Sequence, residues 1–261
     1  MPDDKTAFIV TTPPPVADLP LDLIMEHYDR IRDAIAGTSH IDTGDLYVVL
    51  SNATFIYAFN VFKAISLLLP HLYFEAAAPI LRQLWEVSLN LHWVMADKEQ
   101  RVTQFCGYTM MEYSNILHKF NDSASAASFD TATQKFQAQY LFTDRKGKEK
   151  IYANYSNLSV QQRADQLGEP WIFDYQLIYN ITSMHAHAAP GAILQSIFRR
   201  YYSTPEVRER DDSALMAIVA IKTMMRNVDL LENHGIVLDS TGVRGEYEAF
   251  MQTLGRHTKE K

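Results

Sequence analysis

Polar residues recur at every fourth position inside an apolar segment of this chain. Arg82, Glu86 and Asn90 lie between residues 81 and 93, where most of the other residues are apolar. Residues four apart share one face of an α-helix, so the spacing predicts a helix with one polar face. A helix that is apolar on its other sides lies at the centre of a helical protein. Because an unpaired buried charge is costly, the polar face must meet other protein groups, a cavity or a cleft.

A second polar line has the same spacing. Tyr179, Ser183 and His187 fall on one face of a predicted helix that is closed by Pro190. On a regular helix His185 lies about 160° away from His187, so the two histidines do not share one site unless the helix ends between them. His187 falls in the last turn, where unpaired backbone carbonyls favour a protonated imidazole.

Proline, glycine and capping residues divide the rest of the chain into helices, and strand signals are scarce. We therefore predict an all-α fold, a single helical bundle domain of roughly eight to ten helices. The domain boundaries are an extended tail over 1–19, the bundle over 20–235 and a C-terminal helical appendage over 236–261. Helices are predicted over 21–36, 45–69, 74–95, 97–120, 129–145, 159–168, 171–187, 192–202, 205–233 and 244–255.

Charge and cysteine content narrow the class of protein. The net charge of −7 argues against a broad nucleic-acid footprint but leaves room for a local basic patch. Cys106 is the only cysteine, which excludes an internal disulfide and favours a reducing, cytoplasmic location. We predict no cofactor and no metal, because phosphate loops, nucleophile elbows and metal-ligand spacings are missing from the sequence.

Residues 46–69 are long and apolar enough to raise the alternative of a membrane-associated protein. Asn52, Asn60 and Lys63 lie within this segment, and its aromatic residues are spread along it instead of marking its ends. These features favour a buried core helix and no stable membrane insertion.

The two polar lines support a chemical hypothesis and a structural one. In the first, the lines enclose a cleft in which a histidine moves a proton and an arginine stabilises a phosphate. In the second, they form a satisfied polar network that fixes the register of two core helices. The catalytic candidates are His187, His185, Arg82, Glu86, Tyr179 and Ser183, and the candidate substrate contacts are Asn90, Asn180, Arg199 and Arg200.

The two motifs resemble an uncharacterised bacterial family of helical domains, over about Asn52 to Pro190. That family has an alanine-rich segment followed by Leu-x-Arg-x-x-x-Glu, and Arg82 and Glu86 match this motif here. Later in the chain it has Tyr-x-x-x-Ser-x-x-x-His, which Tyr179, Ser183 and His187 match. The resemblance implies a helical fold and no established activity.

More distantly, the chain is similar to HEPN domains of prokaryotic toxin and antiphage systems, many of which are metal-independent ribonucleases. Their signature is an arginine, four to six residues, and a histidine near a helix end. Here Tyr179 stands where that arginine should, before His185, and Arg226 is too far from His234. The resemblance implies a HEPN-like core, action on RNA, a homodimer and an antitoxin or defence-system partner. Our own hypothesis is that Arg82, from another helix, replaces the missing arginine. The alternative is a non-catalytic helical module that binds a protein partner or small ligand.

Overall fold

The computed structural model describes a helical protein with one short hairpin. It covers residues 21–38, 40, 44–120, 125–127, 130, 141–143, 147–151, 155–179, 182, 205–237 and 239–257. Within these residues the predicted all-α class is confirmed. The predicted tail over 1–19 and the predicted helix over 192–202 lie outside them.

The helices begin and end close to the proline, glycine and capping residues of the sequence. Pro70 interrupts the second helix, which continues as a 3₁₀ turn over Leu69–His71. The long helix that ends at Asn233 is followed by Gly235 at a φ of 66°, a left-handed conformation that favours glycine. The elements are α1 (Leu21–Ala36), α2 (Leu46–Leu68), α3 (Phe74–Met95), α4 (Lys98–Lys119), β1 (Leu141–Thr143), β2 (Glu149–Ile151), α5 (Val160–Leu167), α6 (Trp171–Asp174), a π-helical turn (Tyr175–Tyr179), α7 (Pro205–Asn233) and α8 (Thr241–His257).

The core lies between α2, α3 and α7. α3 is the central helix, since it packs against both α2 and α7, which also contact each other. α7 buries Ala214, Ala217, Ile221, Met224 and Val228, at alternating spacings of three and four. This is the spacing of one continuous helix face, so a single apolar stripe holds α7 in the bundle.

α1 and α8 close the other side of the bundle. The Tyr28 ring stacks on Phe62 of α2 at 4.1 Å, and its hydroxyl donates to the Phe62 carbonyl oxygen at 2.8 Å. Phe250 of α8 is fully buried, and Thr253 of the same helix hydrogen-bonds the His27 ring at 3.0 Å. α8 begins three residues earlier than the predicted start at residue 244.

Two predicted helices differ from the structure. The helix predicted over 129–145 is wrong at its end, because Leu141–Thr143 forms a strand paired antiparallel with Glu149–Ile151. Gly147, at a φ of 72°, lies in the connection between the strands. The helix predicted from Trp171 is regular only to Asp174 and then widens into the π-helical turn over Tyr175–Tyr179.

α2 is apolar on both of its faces. One face, which includes Phe55, Phe62 and Ile65, is buried in the core, while Ile56 and Leu67 are exposed. Leu46–His71 is one segment of the described chain that is long and apolar enough to cross a membrane, and 39% of its most apolar window is buried. Burial of this helix is thus confined to one side.

Candidate functional site

Arg82 and Glu86 form an ion pair on α3. The Arg82 Nε donates to Glu86 Oε1 at 2.7 Å, and their side chains are 15% and 31% exposed. Arginine stands before glutamate, which is the less favourable order for a pair that serves only to support an exposed helix. The pair is therefore a partly buried charged group at the edge of the core, with Glu86 the more accessible partner.

The segment that begins with α6 runs beside α3 towards this pair. The Trp171 ring lies 4.8 Å from the His92 ring and 6.1 Å from the Trp85 ring. Tyr175, one turn later, lies 6.4 Å from Trp85. Over these described residues the segment therefore runs antiparallel to α3, from the level of His92 to the level of Trp85.

A π-helical turn comes directly before the second polar line. A π-helix has wider turns than an α-helix, so the four-residue spacing of one helix face does not hold within Tyr175–Tyr179. Single π-helical turns inside helices occur frequently at functional sites. The turn ends at Tyr179, the first residue of the second polar line.

The structure describes only part of the predicted site. Arg82, Glu86 and Asn90 lie on α3, and the backbone of Tyr179 ends the π-helical turn. The other predicted residues lie outside the described residues: Asn180, Ser183, His185, His187, Arg199 and Arg200.

Asn90 lies in a different setting from Arg82 and Glu86. It lines an apolar cavity of about 500 Å³ between α2, α3 and α4, and neither residue of the ion pair lines that cavity. The Asn90 Oδ1 is buried and has no hydrogen-bond partner among the described residues. The first polar line thus divides into a charged pair and a separate amide.

A second polar cluster on α3 was missed by the sequence analysis. Arg226 of α7 donates to the Asp174 carboxylate and lies 5.3 Å from the centre of the Trp171 ring. Next to it, the Asn227 amide donates to Ser88 Oγ at 2.8 Å. Asp174 and Arg226 are charged residues that lie among apolar ones in the sequence. Because buried charges need partners, these two residues were the signal from which the cluster could have been predicted.

His92 lies in the same buried cluster. Burial, followed by the charge of the nearby Arg226 guanidinium, lowers the pKa of His92 to about 4. A histidine with this pKa is neutral at pH 7, so the imidazolium form that would act as a general acid is scarcely populated. Its ring contact with Trp171 makes it part of the packing between α3 and α6.

The described residues contain no group of three or more His, Cys, Asp or Glu side chains that could hold a metal ion. His118, for example, contacts one carboxylate, that of Asp130, at 3.0 Å. The hydrogen bonds from Ser114 and His118 lower the pKa of Asp130. This group is an exposed link between α4 and residue 130 and has no third ligand in the described part of the chain.

A family model for a family of unknown function, DUF5677, matches residues 48–200, which is more than half of the chain. The matched range begins in α2, contains the Arg82–Glu86 pair on α3, and extends past the second polar line. No curated protein and no solved structure matches this chain.

Proposed function

The chain belongs to the DUF5677 family, and we propose that it acts on RNA as a HEPN-like, metal-independent ribonuclease in a bacterial toxin or antiphage defence system. The observation that supports this function is the partly buried Arg82–Glu86 pair beside a segment that leads towards it through a π-helical turn. The Arg82 guanidinium lies at the edge of the core, next to the partly exposed Glu86 carboxylate. A guanidinium in this position is suited to contact an RNA phosphate.

The proposed chemistry needs only proton transfer and charge stabilisation. An imidazole, that of His187 or His185, takes the proton of a ribose 2′-hydroxyl, and the 2′-oxygen attacks the adjacent phosphorus. The bond from phosphorus to the 5′-oxygen breaks, and the leaving oxygen receives a proton from an acid. Arg82 stabilises the charge on the phosphate, and Glu86 orients Arg82.

The remaining predicted residues have supporting roles in this proposal. Tyr179 and Ser183 donate hydrogen bonds to the phosphate or ribose. The neighbouring rings and charges at Arg199 and Arg200 suit contact with single-stranded RNA. Asn180 completes the proposed substrate contacts, whereas Asn90 lines the separate apolar cavity and has no role in this proposal.

We also propose a cytoplasmic homodimer with an antitoxin or another defence-system protein as its partner, without stable insertion in a membrane. The single cysteine, Cys106, is compatible with a reducing compartment. The homodimer and the partner rest on the resemblance to HEPN domains, which is an argument from analogy.

The direct test is cleavage of single-stranded RNA by the purified full chain in EDTA. We expect cleavage by the wild-type protein, and a loss of at least about 100-fold in rate for Arg82→Ala and His187→Ala with unchanged circular dichroism. Arg30→Ala is the matched control, because it removes an exposed Glu26–Arg30 pair of the same spacing on α1. Equal rates for Arg82→Ala and Arg30→Ala would contradict the proposal.

A non-catalytic binding module is the second candidate function. The observation that favours it is that Arg82 and Glu86 already pair with each other, as members of a structural network do. In that case Arg82→Ala and Glu86→Ala lower the melting temperature, and no RNA cleavage appears with any variant or with the wild-type protein.

A further inference from the structure

The exposed side of α2 carries residues at the spacing of a coiled-coil seam. Exposed residues recur along this helix at alternating steps of three and four, the spacing at which one helix presents a continuous edge to another. Most of them are apolar, and together they extend over the length of the helix. We call this set the α2 stripe, which consists of Leu46, Val49, Ala53, Ile56, Asn60, Lys63 and Leu67.

The α2 stripe is not covered by any element in the described part of the chain. Leu46, Ile56 and Leu67 are 53%, 57% and 70% exposed. Exposed apolar residues continue onto α4, because Tyr57 of α2 and Tyr113 of α4 line the same cavity. Soluble monomers rarely expose one continuous apolar surface of more than a few hundred Å², so a surface of this extent indicates an interaction site.

The size of this surface fits a protein partner. On α4 the exposed apolar residues are Met110, Tyr113, Ile116 and Phe120, the last of them 81% exposed. Together with the α2 stripe they offer an apolar area of the order of the ~800 Å² that each partner contributes to a stable protein–protein interface.

The charges of α2 match those of a second, antiparallel copy of the same helix. Lys63 is the only charged residue within α2, and Asp45 directly precedes the helix. Both side chains are exposed. The described residues offer the Lys63 ammonium the Phe59 ring at 5.5 Å and no carboxylate at ion-pair distance. Asp45 and Lys63 are 18 residues apart, which is about five helical turns, so they lie on the same side of α2.

An antiparallel pair of α2 helices therefore brings each Asp45 next to Lys63 of the other copy. In the same register Ala53 faces Ile56 of the other copy on both sides of the two-fold axis, so a small side chain meets a large one. A parallel pair would instead place the two Lys63 ammonium groups opposite each other, and like charges in contact are unfavourable. The helix dipoles also favour the antiparallel arrangement.

A lipid surface fits the α2 stripe less well than a second copy does. Asn60 and Lys63 lie within the stripe, between Ile56 and Leu67. Contact of the whole stripe with hydrocarbon would remove the hydration of the Lys63 ammonium without supplying a counter-ion. In the antiparallel pair the same ammonium gains a carboxylate.

We propose that the α2 stripe is the interface of a homodimer, in which two α2 helices pack antiparallel across a two-fold axis with Asp45 of each copy beside Lys63 of the other. A two-fold contact uses the same surface on both copies, which a stripe with complementary charges at its two ends allows. This interface rests on the homodimer of the proposed function, and it does not depend on the cleavage of RNA.

A charge at the centre of the stripe tests the location of the interface. Sedimentation equilibrium of the purified full chain measures the Kd of the dimer. Ile56→Glu should raise this Kd at least about 100-fold, because the carboxylate would be buried without a partner. Met251→Glu is the matched control and should stay within about twofold of wild type, because Met251 is an exposed apolar residue of α8, which packs against α1. Circular dichroism confirms that each variant is folded.

Charge reversal tests the direction of the two helices. Lys63→Glu and Asp45→Lys should each raise the Kd about tenfold, since each sets two like charges together at both ends of the interface. The double variant restores opposite charges and should return to within about threefold of wild type. In a parallel pair the double variant would still place like charges together, so the absence of rescue would overturn the proposal.

The remaining outcomes separate this interface from the proposed function. A dimer that Ile56→Glu does not weaken would overturn the interface and leave the homodimer standing. A wild-type protein that stays monomeric would overturn both, and the cleavage assay would still decide the action on RNA. A monomer that binds phosphatidylcholine vesicles, and loses this binding in Ile56→Glu, would overturn the proposal in favour of a lipid surface.

Discussion

His92 shows how one buried residue couples stability to pH. Its ring lies against Trp171, close to the Arg226 guanidinium, and burial lowers its pKa to about 4. An unfolded histidine has a pKa of about 6.5. Between these two values the unfolded chain binds the proton and the folded chain does not, so the free energy of unfolding falls as the pH decreases.

We predict that His92 alone removes about 2 kcal/mol from the free energy of unfolding between pH 7 and pH 5. The measurement is urea unfolding at both pH values, for the wild-type protein and for His92→Leu. Leucine keeps an apolar side chain in the site and cannot be protonated, so the loss on going to pH 5 should be smaller by that amount. The same loss in both proteins would show that His92 is protonated as easily in the folded state as in the unfolded state.

At the same scale, the sequence could predict the Arg82–Glu86 pair but not the Asp174–Arg226 pair. Arg82 and Glu86 are four apart on one helix, so their contact follows from local geometry. Asp174 and Arg226 are 52 residues apart in the chain, and only the tertiary fold brings them together. A charged residue inside an apolar segment indicates that it needs a partner, but periodicity along the chain does not identify that partner.

At the scale of the elements, the start of α5 rests on a capping box. The Ser159 hydroxyl accepts from the Gln162 backbone N–H at 3.1 Å, and the Gln162 side chain accepts from the Ser159 backbone N–H at 2.8 Å. Both donors would otherwise lack a partner within the helix.

Ser159→Ala should therefore destabilise the protein by about 1 kcal/mol and lower its melting temperature by about 2–4 °C. Differential scanning calorimetry measures both quantities. Gln161→Ala is the control, because Gln161 is exposed on the same helix and takes no part in the capping box. A shift no larger for Ser159→Ala than for Gln161→Ala would mean that the box adds no stability.

The elements that sequence reasoning missed are those that break a regular pattern. The helix bounds at 21–36, 74–95 and 205–233 followed from proline, glycine and capping residues. The π-helical turn after Asp174 results from a change in hydrogen bonding that leaves the apolar periodicity nearly unchanged. The hairpin at 141–151 has strands of three residues each, too short for an alternating pattern to show.

At the scale of the whole molecule, the family match covers only part of the bundle. It ends at residue 200, so α1, α7 and α8 lie outside it. Yet α7 packs along α3 and supplies Arg226 and Asn227 to the buried polar cluster. Without α7, the surface of α3 that packs against it would be exposed to solvent. We therefore expect the matched range to need the flanking helices in order to form a stable core.

The proposed homodimer predicts a particle mass of twice 29.8 kDa, about 60 kDa. Light scattering coupled to size-exclusion chromatography measures this mass directly, over a range of protein concentrations. A mass that stays near 29.8 kDa at all concentrations would contradict the homodimer, and with it the idea that a site forms across two copies.

The central claim is that Arg82 and His187 belong to one site, although they are about a hundred residues apart in the chain. A double-mutant cycle tests this without requiring activity: urea unfolding of the wild-type protein, Arg82→Ala, His187→Ala and the double variant. Residues that share a network show an interaction energy, and distant residues are additive within about 0.3–0.5 kcal/mol. We predict an interaction energy of about 1 kcal/mol or more, and additive effects would contradict the shared site.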